Sequence, residues 1–191
     1  VIADKVKNDP GNCFVYSEYV GGSGAVTLAL CLEGLGFRRY NESKSMFTGS
    51  LSGVVKPVCA GSDKDASGRR VRPDILPHSR GGPLRYALLT KETSDAKFQS
   101  IMEAMNSYEN RYGDYIKVLI STRVGKEGIN VNNVLQIHLV GAEWNQSNMY
   151  QALSRGLRAT SHDDLLREEQ DRLRSIGQDP ANATVIVKVY K

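Results

Sequence analysis

Apolar residues along this chain fall into short, nearly continuous runs separated by glycine-rich or polar stretches. Residues 13–17 (CFVYS) form one run, bounded by Gly11 and then by Gly21, Gly22 and Gly24. A run of that length and punctuation predicts a buried strand. Ala25 to Leu35 (AVTLALCLEGL) predicts a mostly apolar helix, closed by Gly34 and Gly36. Strand, glycine-rich turn and helix together make half of a βαβ unit. Further strands are predicted at Arg85–Thr90 (RYALLT), Lys117–Ser121 (KVLIS), Val134–Val140 (VLQIHLV) and Thr184–Tyr190 (TVIVKVY). Ser94 is placed to cap a helix over 95–107, with Phe98, Ile101, Met102 and Met105 on one stripe. A second helix starts at Asn145 or Ser147 and reaches about Leu157, and Ser161-x-x-Asp164 reads as a capping box opening a charged helix to about Ile176. Strands that are apolar on both faces, alternating with helices, predict an α/β fold with a doubly wound, mainly parallel sheet covered by helices on both sides.

Between 41 and 83 the periodicity stops, and Gly, Ser, Pro and charged residues take over (TGSLSGVV, GSDKDASGRR, HSRGGP). So long an irregular stretch is unusual inside a domain, and it reads as an insertion. It also concentrates charge. Lys44, Lys56, Lys64, Arg69, Arg70, Arg72 and Arg80 stand against Glu42, Asp63, Asp65 and Asp74, which is +3 of the chain's formal +4. Arg69, Arg70 and Arg72 suit phosphate contacts, or equally a solvated loop.

The rest of the composition excludes more than it identifies. At 191 residues with 40% hydrophobic and 24% charged residues, the chain suits one domain, 1–191, that includes the insertion. No apolar run approaches the roughly 20 residues of a membrane helix, and the opening VIADKVKNDP is no secretory signal. Cys13, Cys31 and Cys59 are few and scattered, so neither a structural zinc site nor a disulfide framework is expected, and a reducing, cytoplasmic setting fits. The chain opens on Val1 rather than Met, as a piece of a longer chain would.

Candidate chemistry sits on the helix after Trp144-Asn145. Gln151, Arg155 and Arg158 fall within roughly 60° of arc at about 100° per residue, with Met149, Ala152, Leu153, Gly156 and Leu157 opposite. Guanidinium forks suit phosphate oxygens and stay charged, so two on one rigid face can stabilise a transferring phosphoryl group; a solvated basic face is the plainer reading. About twenty residues earlier, VLISTRVGKEGINV runs from a buried strand through Ser121 and Thr122 to two glycines and Gly128-Ile129-Asn130. Hydroxyls at a strand's carboxyl end beside free glycine N–H groups favour oxyanions.

ISTRVGKEGINV resembles motif V of superfamily-2 helicases, and QALSRGLR resembles their motif VI. NCFVYSEYV is similar to motif IV, and YALLTKETSDAKFQSIMEAMN to the strand and helix that follow it. The matches run in family order through most of 12–158 and leave the insertion unmatched. GKEGIN, then WNQSNMYQALSRGLRATSH, most resembles helicases of large cytoplasmic DNA viruses, of the poxvirus early transcription factor helicase subunit and nucleoside triphosphate phosphohydrolase type.

The resemblance implies a C-terminal RecA-like motor domain of an ATP-dependent helicase or translocase. Arg155 and Arg158 would then be arginine fingers, Gln151, Gly128 and Asn130 would face nucleotide, and Ser17, Thr90, Ser121 and Thr122 would touch a nucleic-acid backbone. Near the tips of the parallel strands is where the two arginines are expected, and a position far from those tips would count against the motor reading. Implied partners are DNA or RNA, an N-terminal RecA-like domain holding most of the ATP and Mg²⁺, and a viral RNA polymerase or transcription complex, in host cytoplasm, viral factory or virion. Ser154 departs from the usual Gly of motif VI, adding a side chain where the helix packs closely.

Gly21-Gly22-Ser23-Gly24 resembles a phosphate loop only superficially, since no GxxxxGK[ST] follows, and no acidic metal-binding strand motif is present. The chain by itself is therefore expected not to turn over ATP. Two other readings remain open: a catalytically silent RecA-like module docking nucleic acid or a transcription complex, and an unrelated doubly wound enzyme such as a nucleotide-sugar transferase. Trp144 packs beside a strand or stacks on a base, His138 reads as a core histidine, and His162 has no visible partner.

Overall fold

The computed structural model describes residues 2, 5–6, 11–42, 44–46, 84–122, 129–141, 150, 153–154, 157–158 and 160–190. Within them lie β1 (Asn12–Ser17), α1 (Ala25–Gly34), β2 (Arg38–Arg39), β3 (Arg85–Leu89), α2 (Asp95–Asn106), β4 (Val118–Thr122), β5 (Val134–Val140), α3 (Asp163–Ser175) and β6 (Lys188–Tyr190). The strands form one sheet in the order β2-β3-β4-β1-β5-β6, and each neighbouring pair is parallel.

Side chains alternate between the two faces, and each face meets a different helix. Cys13, Val15, Tyr86, Leu88, Val118 and Ile120 pack with Ala25, Ala29 and Leu32 of α1. Phe14, Tyr16, Ala87, Leu89 and Leu119 pack with Ile101, Met102 and Met105 of α2. With helices on both faces, the interior strands have no polar side to show, which is why their sequences read as continuous apolar runs. The chain leaves β1 toward β2 and leaves β5 toward β6, so the carboxyl ends of these neighbours mark the switch point of a doubly wound sheet.

Ser94 accepts a hydrogen bond from the Lys97 amide and caps α2 as its sequence requires. Two expectations are corrected. The cap of α3 is His162, without a side-chain cap bond, because Asp164 accepts from Asn133 Nδ2 at 3.0 Å rather than closing a capping box. Regular pairing of the last strand covers 188–190 rather than 184–190. Its register sets Lys188 against Gln136, so 184 and 185 fall opposite 132 and 133, where Asn133 at φ 57 breaks the extended backbone. The stretch 47–83, with Arg69, Arg70 and Arg72, lies outside the described residues, as do Trp144 and most of the helix expected up to Leu157.

Glu33, buried at the end of α1, ties that helix to the sheet. Its carboxylate accepts from Tyr86 Oη at 2.7 Å, from the Met46 amide at 2.8 Å and from the Ser45 hydroxyl. Burial and this carboxylate push the Tyr86 phenol far above its ordinary range. Glu33→Ala leaves a buried phenol and a backbone N–H without partners, so a loss of about 3 kcal/mol in a urea melt is expected; a change within about 0.5 kcal/mol would contradict this role.

Candidate nucleotide and nucleic-acid surfaces

The hydroxyls singled out in the sequence meet at the carboxyl tips of the sheet. Ser17 pairs with Thr122 across β1 and β4 and with Val140 across β1 and β5, while Ser121 pairs with Leu89, the residue before Thr90. Ser17, Ser121 and Thr122 are buried. Ser17 Oγ donates to Tyr19 O at 2.9 Å, Ser121 Oγ to Thr122 O at 3.4 Å and Thr122 Oγ1 to Leu89 O at 3.5 Å. Thr90 is half-buried, and its amide donates to Thr93 Oγ1 at 3.0 Å.

The glycine-rich turn after β1 is closed to phosphate. The amides of Gly24, Ala25 and Val26 donate to the carbonyls of Gly21, Tyr19 and Val20 at 3.0, 2.9 and 2.9 Å, and the Thr27 hydroxyl donates to Gly22 O. The first N–H groups of α1, which in a phosphate loop would point at the anion, are thus engaged within the turn. Gly24 is needed for that closure, since a Cβ there would sit 2.1 Å from Tyr19 O.

Two further candidates, Asn130 and Arg158, lie at the other end of β5. Asn130 lies in the segment leading into the strand, and α2 holds that segment through its last residue. Asn106 Nδ2 donates to Asn130 O at 2.9 Å, and Asn106 Oδ1 accepts from the Asn132 amide at 2.8 Å. The Asn130 side-chain oxygen is buried, with no hydrogen-bond partner among the described residues.

Arg158 is tied to the same place. Its carbonyl accepts from the Ser161 amide at 3.0 Å and from Ser161 Oγ at 2.7 Å, and Ser161 O accepts from the Asn133 amide at 2.5 Å. The Arg158 side chain is exposed, and among the described residues no carboxylate pairs with it. The expectation that the arginine lies near the strand tips is therefore corrected. Arg158 returns to the amino end of β5, the seven-residue length of that strand away from the hydroxyls, or about 20 Å.

Gln151, Arg155 and Gly128 lie outside the described residues. Leu153 and Ser154 are helical, with Leu153 packed against the α2-side core and Ser154 exposed, so the side chain that replaces the usual glycine does not compete for packing space. His138 is buried in β5, stacked on Tyr190 with ring centroids 4.6 Å apart. Among the described residues no cluster of His, Cys, Asp or Glu could hold a metal ion, and no helix is long and apolar enough to cross a membrane.

Sequence reasoning missed Asn106, Asn133 and the partners of His162. The one signal available was density of asparagine, with Asn130, Asn132 and Asn133 inside five residues. Asparagine tolerates left-handed backbone, and Asn133 adopts it at φ 57.

A doubly wound parallel sheet with helices on both faces is the frame of a RecA-like lobe, and comparison with known proteins agrees. Residues 66–160 match the helicase conserved C-terminal domain, so the match takes in 66–83 of the stretch expected to lie unmatched. The chain carries a helicase C-terminal domain, of the kind found in helicases of large DNA viruses. It is 33% identical to "Putative helicase 087L" of Invertebrate iridescent virus 3 over 153 residues, 80% of this chain and 12% of that protein. It is 31% identical over 87 residues, 46% of this chain and 13% of the relative, to "Nucleoside triphosphatase I" of Melanoplus sanguinipes entomopoxvirus. To the "Termination factor NPH-I homolog" of African swine fever virus it is 26% identical over 168 residues, 86% of this chain and 23% of that protein. The chain thus spans less than a quarter of the length of each of these relatives.

Asn106→Ala removes both bonds that α2 gives to the 130–132 segment. Hydrogen exchange at the Asn132 amide should then accelerate about tenfold to a hundredfold, the equivalent of about 1–3 kcal/mol. An unchanged rate would show that something else holds the segment.

Proposed function

We propose that residues 1–191 form one C-terminal motor lobe of an ATP-dependent nucleic-acid helicase or translocase, with 41–83 as an insertion, working in viral transcription or genome handling. An N-terminal RecA-like lobe holds most of the ATP and Mg²⁺, and ATP supplies the phosphoryl group to be transferred. This lobe adds Arg155 and Arg158 as arginine fingers, with Gln151, Gly128 and Asn130 facing the nucleotide. DNA or RNA crosses the carboxyl tips with its backbone at Thr90, above the buried hydroxyls of Ser17, Ser121 and Thr122, which shape the strand ends. Phosphate contacts carry little sequence information, so little sequence preference is expected.

The observation that carries this reading is the joint anchoring of Asn130 and Arg158 beside the start of β5, with the guanidinium exposed and no carboxylate on it among the described residues. A guanidinium held by its main chain but free at its tip can stabilise charge developing on a phosphoryl group bound in a neighbouring lobe. The iridovirus relative is named a helicase and the entomopoxvirus one a nucleoside triphosphatase, which supports nucleotide-driven action. The name of the African swine fever virus relative, a termination factor homolog, favours a transcription complex as partner.

In protein carrying both lobes, Arg158→Ala is expected to lower nucleic-acid-stimulated ATP hydrolysis by about a thousandfold, while nucleotide affinity stays within about threefold. Retained turnover would remove the finger assignment.

A further inference from the structure

Arg158 lies outside regular helix, and the bonds that fix its carbonyl among the described residues both come from Ser161. Ser161 is held in turn by His162. The ring Nε2 of His162 lies 2.7 Å from Val134 O, and Nδ1 lies 2.9 Å from Ser161 Oγ. A carbonyl oxygen only accepts, so Nε2 carries a proton and donates to Val134. The Ser161 hydroxyl uses its one proton on the Arg158 carbonyl, at 2.7 Å, so its oxygen bridges to the ring by accepting from Nδ1–H. The imidazole thus forms a brace between the first residue of β5 and the main chain of Arg158, parallel to the bond from the Asn133 amide to Ser161 O.

We propose that His162 is a positioning residue for Arg158, acting through Ser161. The inference rests on the finger reading above. An arginine side chain magnifies small rotations of its own main chain, and catalysis by positioning is lost steeply when a charged group moves by about 1 Å. The brace ties the main chain of Arg158 to a buried strand with a parallel neighbour on each side. The brace would place Arg158 without itself touching nucleotide.

The test uses protein carrying both lobes and measures nucleic-acid-stimulated ATP hydrolysis, KM for ATP and melting temperature. His162→Gln puts an amide donor where Nε2 was, so the Val134 bond and the fold are kept while the link to Ser161 is lost. His162→Asn does the reverse, and Ser161→Ala removes the middle of the brace. Each variant is expected to lower kcat about tenfold or more, with KM for ATP changed less than about twofold. His162→Gln should keep the wild-type melting temperature, and the Ser161→Ala/His162→Gln double variant should be no slower than the slower single one, since the links act in series.

Full kcat in His162→Gln, losses that multiply in the double variant, or a loss of kcat only in proportion to lost folded protein would each overturn the proposal. Arg158→Ala, measured alongside, separates the two claims. If it stops turnover while His162→Gln does not, only the brace falls. If it leaves turnover intact, the finger reading falls and the brace with it.

Discussion

Burial of the central strand on both faces is the constraint from which the rest of the structure follows. Cys13, Phe14 and Val15 of β1 are fully buried, flanked by β4 and β5 and covered by α1 on one side and α2 on the other. Polar chemistry has little place along such strands and is displaced to their ends. The carboxyl end collects Ser17, Thr90, Ser121 and Thr122. The amino end of β5 collects Asn130, Asn133, Arg158, Ser161 and His162. Two polar surfaces result, joined by a strand too well packed to bend independently of the sheet.

Much of this was legible in the residues. β1, β3, β4 and β5 appear within one or two residues of their apolar runs, because a strand buried on both sides needs apolar residues at every position, not only at alternate ones. The α2 stripe and its serine cap were equally direct. What escaped was set by contacts distant in sequence. The two-residue β2 has a polar sequence, Arg38–Arg39, and is a strand only because Arg85 and Tyr86 lie beside it. The capping box before α3 failed because Asn133 claims Asp164. The pole to which Arg158 returns depends on Ser161 meeting Asn133, a pairing no local pattern announces. His162 looked partnerless because both of its partners are a hydroxyl next door and a carbonyl from another element.

Separation of the two surfaces bears on how such a lobe could do work. If nucleotide lies at one end of β5 and a nucleic-acid strand at the other, closure around the phosphates turns the sheet as a unit, and the tips move with it. No flexible relay is required, because the packed core carries the displacement. The closed turn after β1 fits a lobe that completes a nucleotide site rather than building one, since its helix N-terminus is occupied by the turn's own carbonyls.

On the proposed reading, nucleotide and nucleic acid meet this lobe at opposite ends of β5. The most direct measurement is a structure of the two-lobed protein with a non-hydrolysable ATP analogue and a nucleic-acid strand bound together. The γ-phosphate is expected within about 3 Å of the Arg158 guanidinium and the nucleic-acid backbone across the carboxyl tips by Thr90. A γ-phosphate seated at those tips, with Arg158 facing solvent in the closed complex, would contradict it.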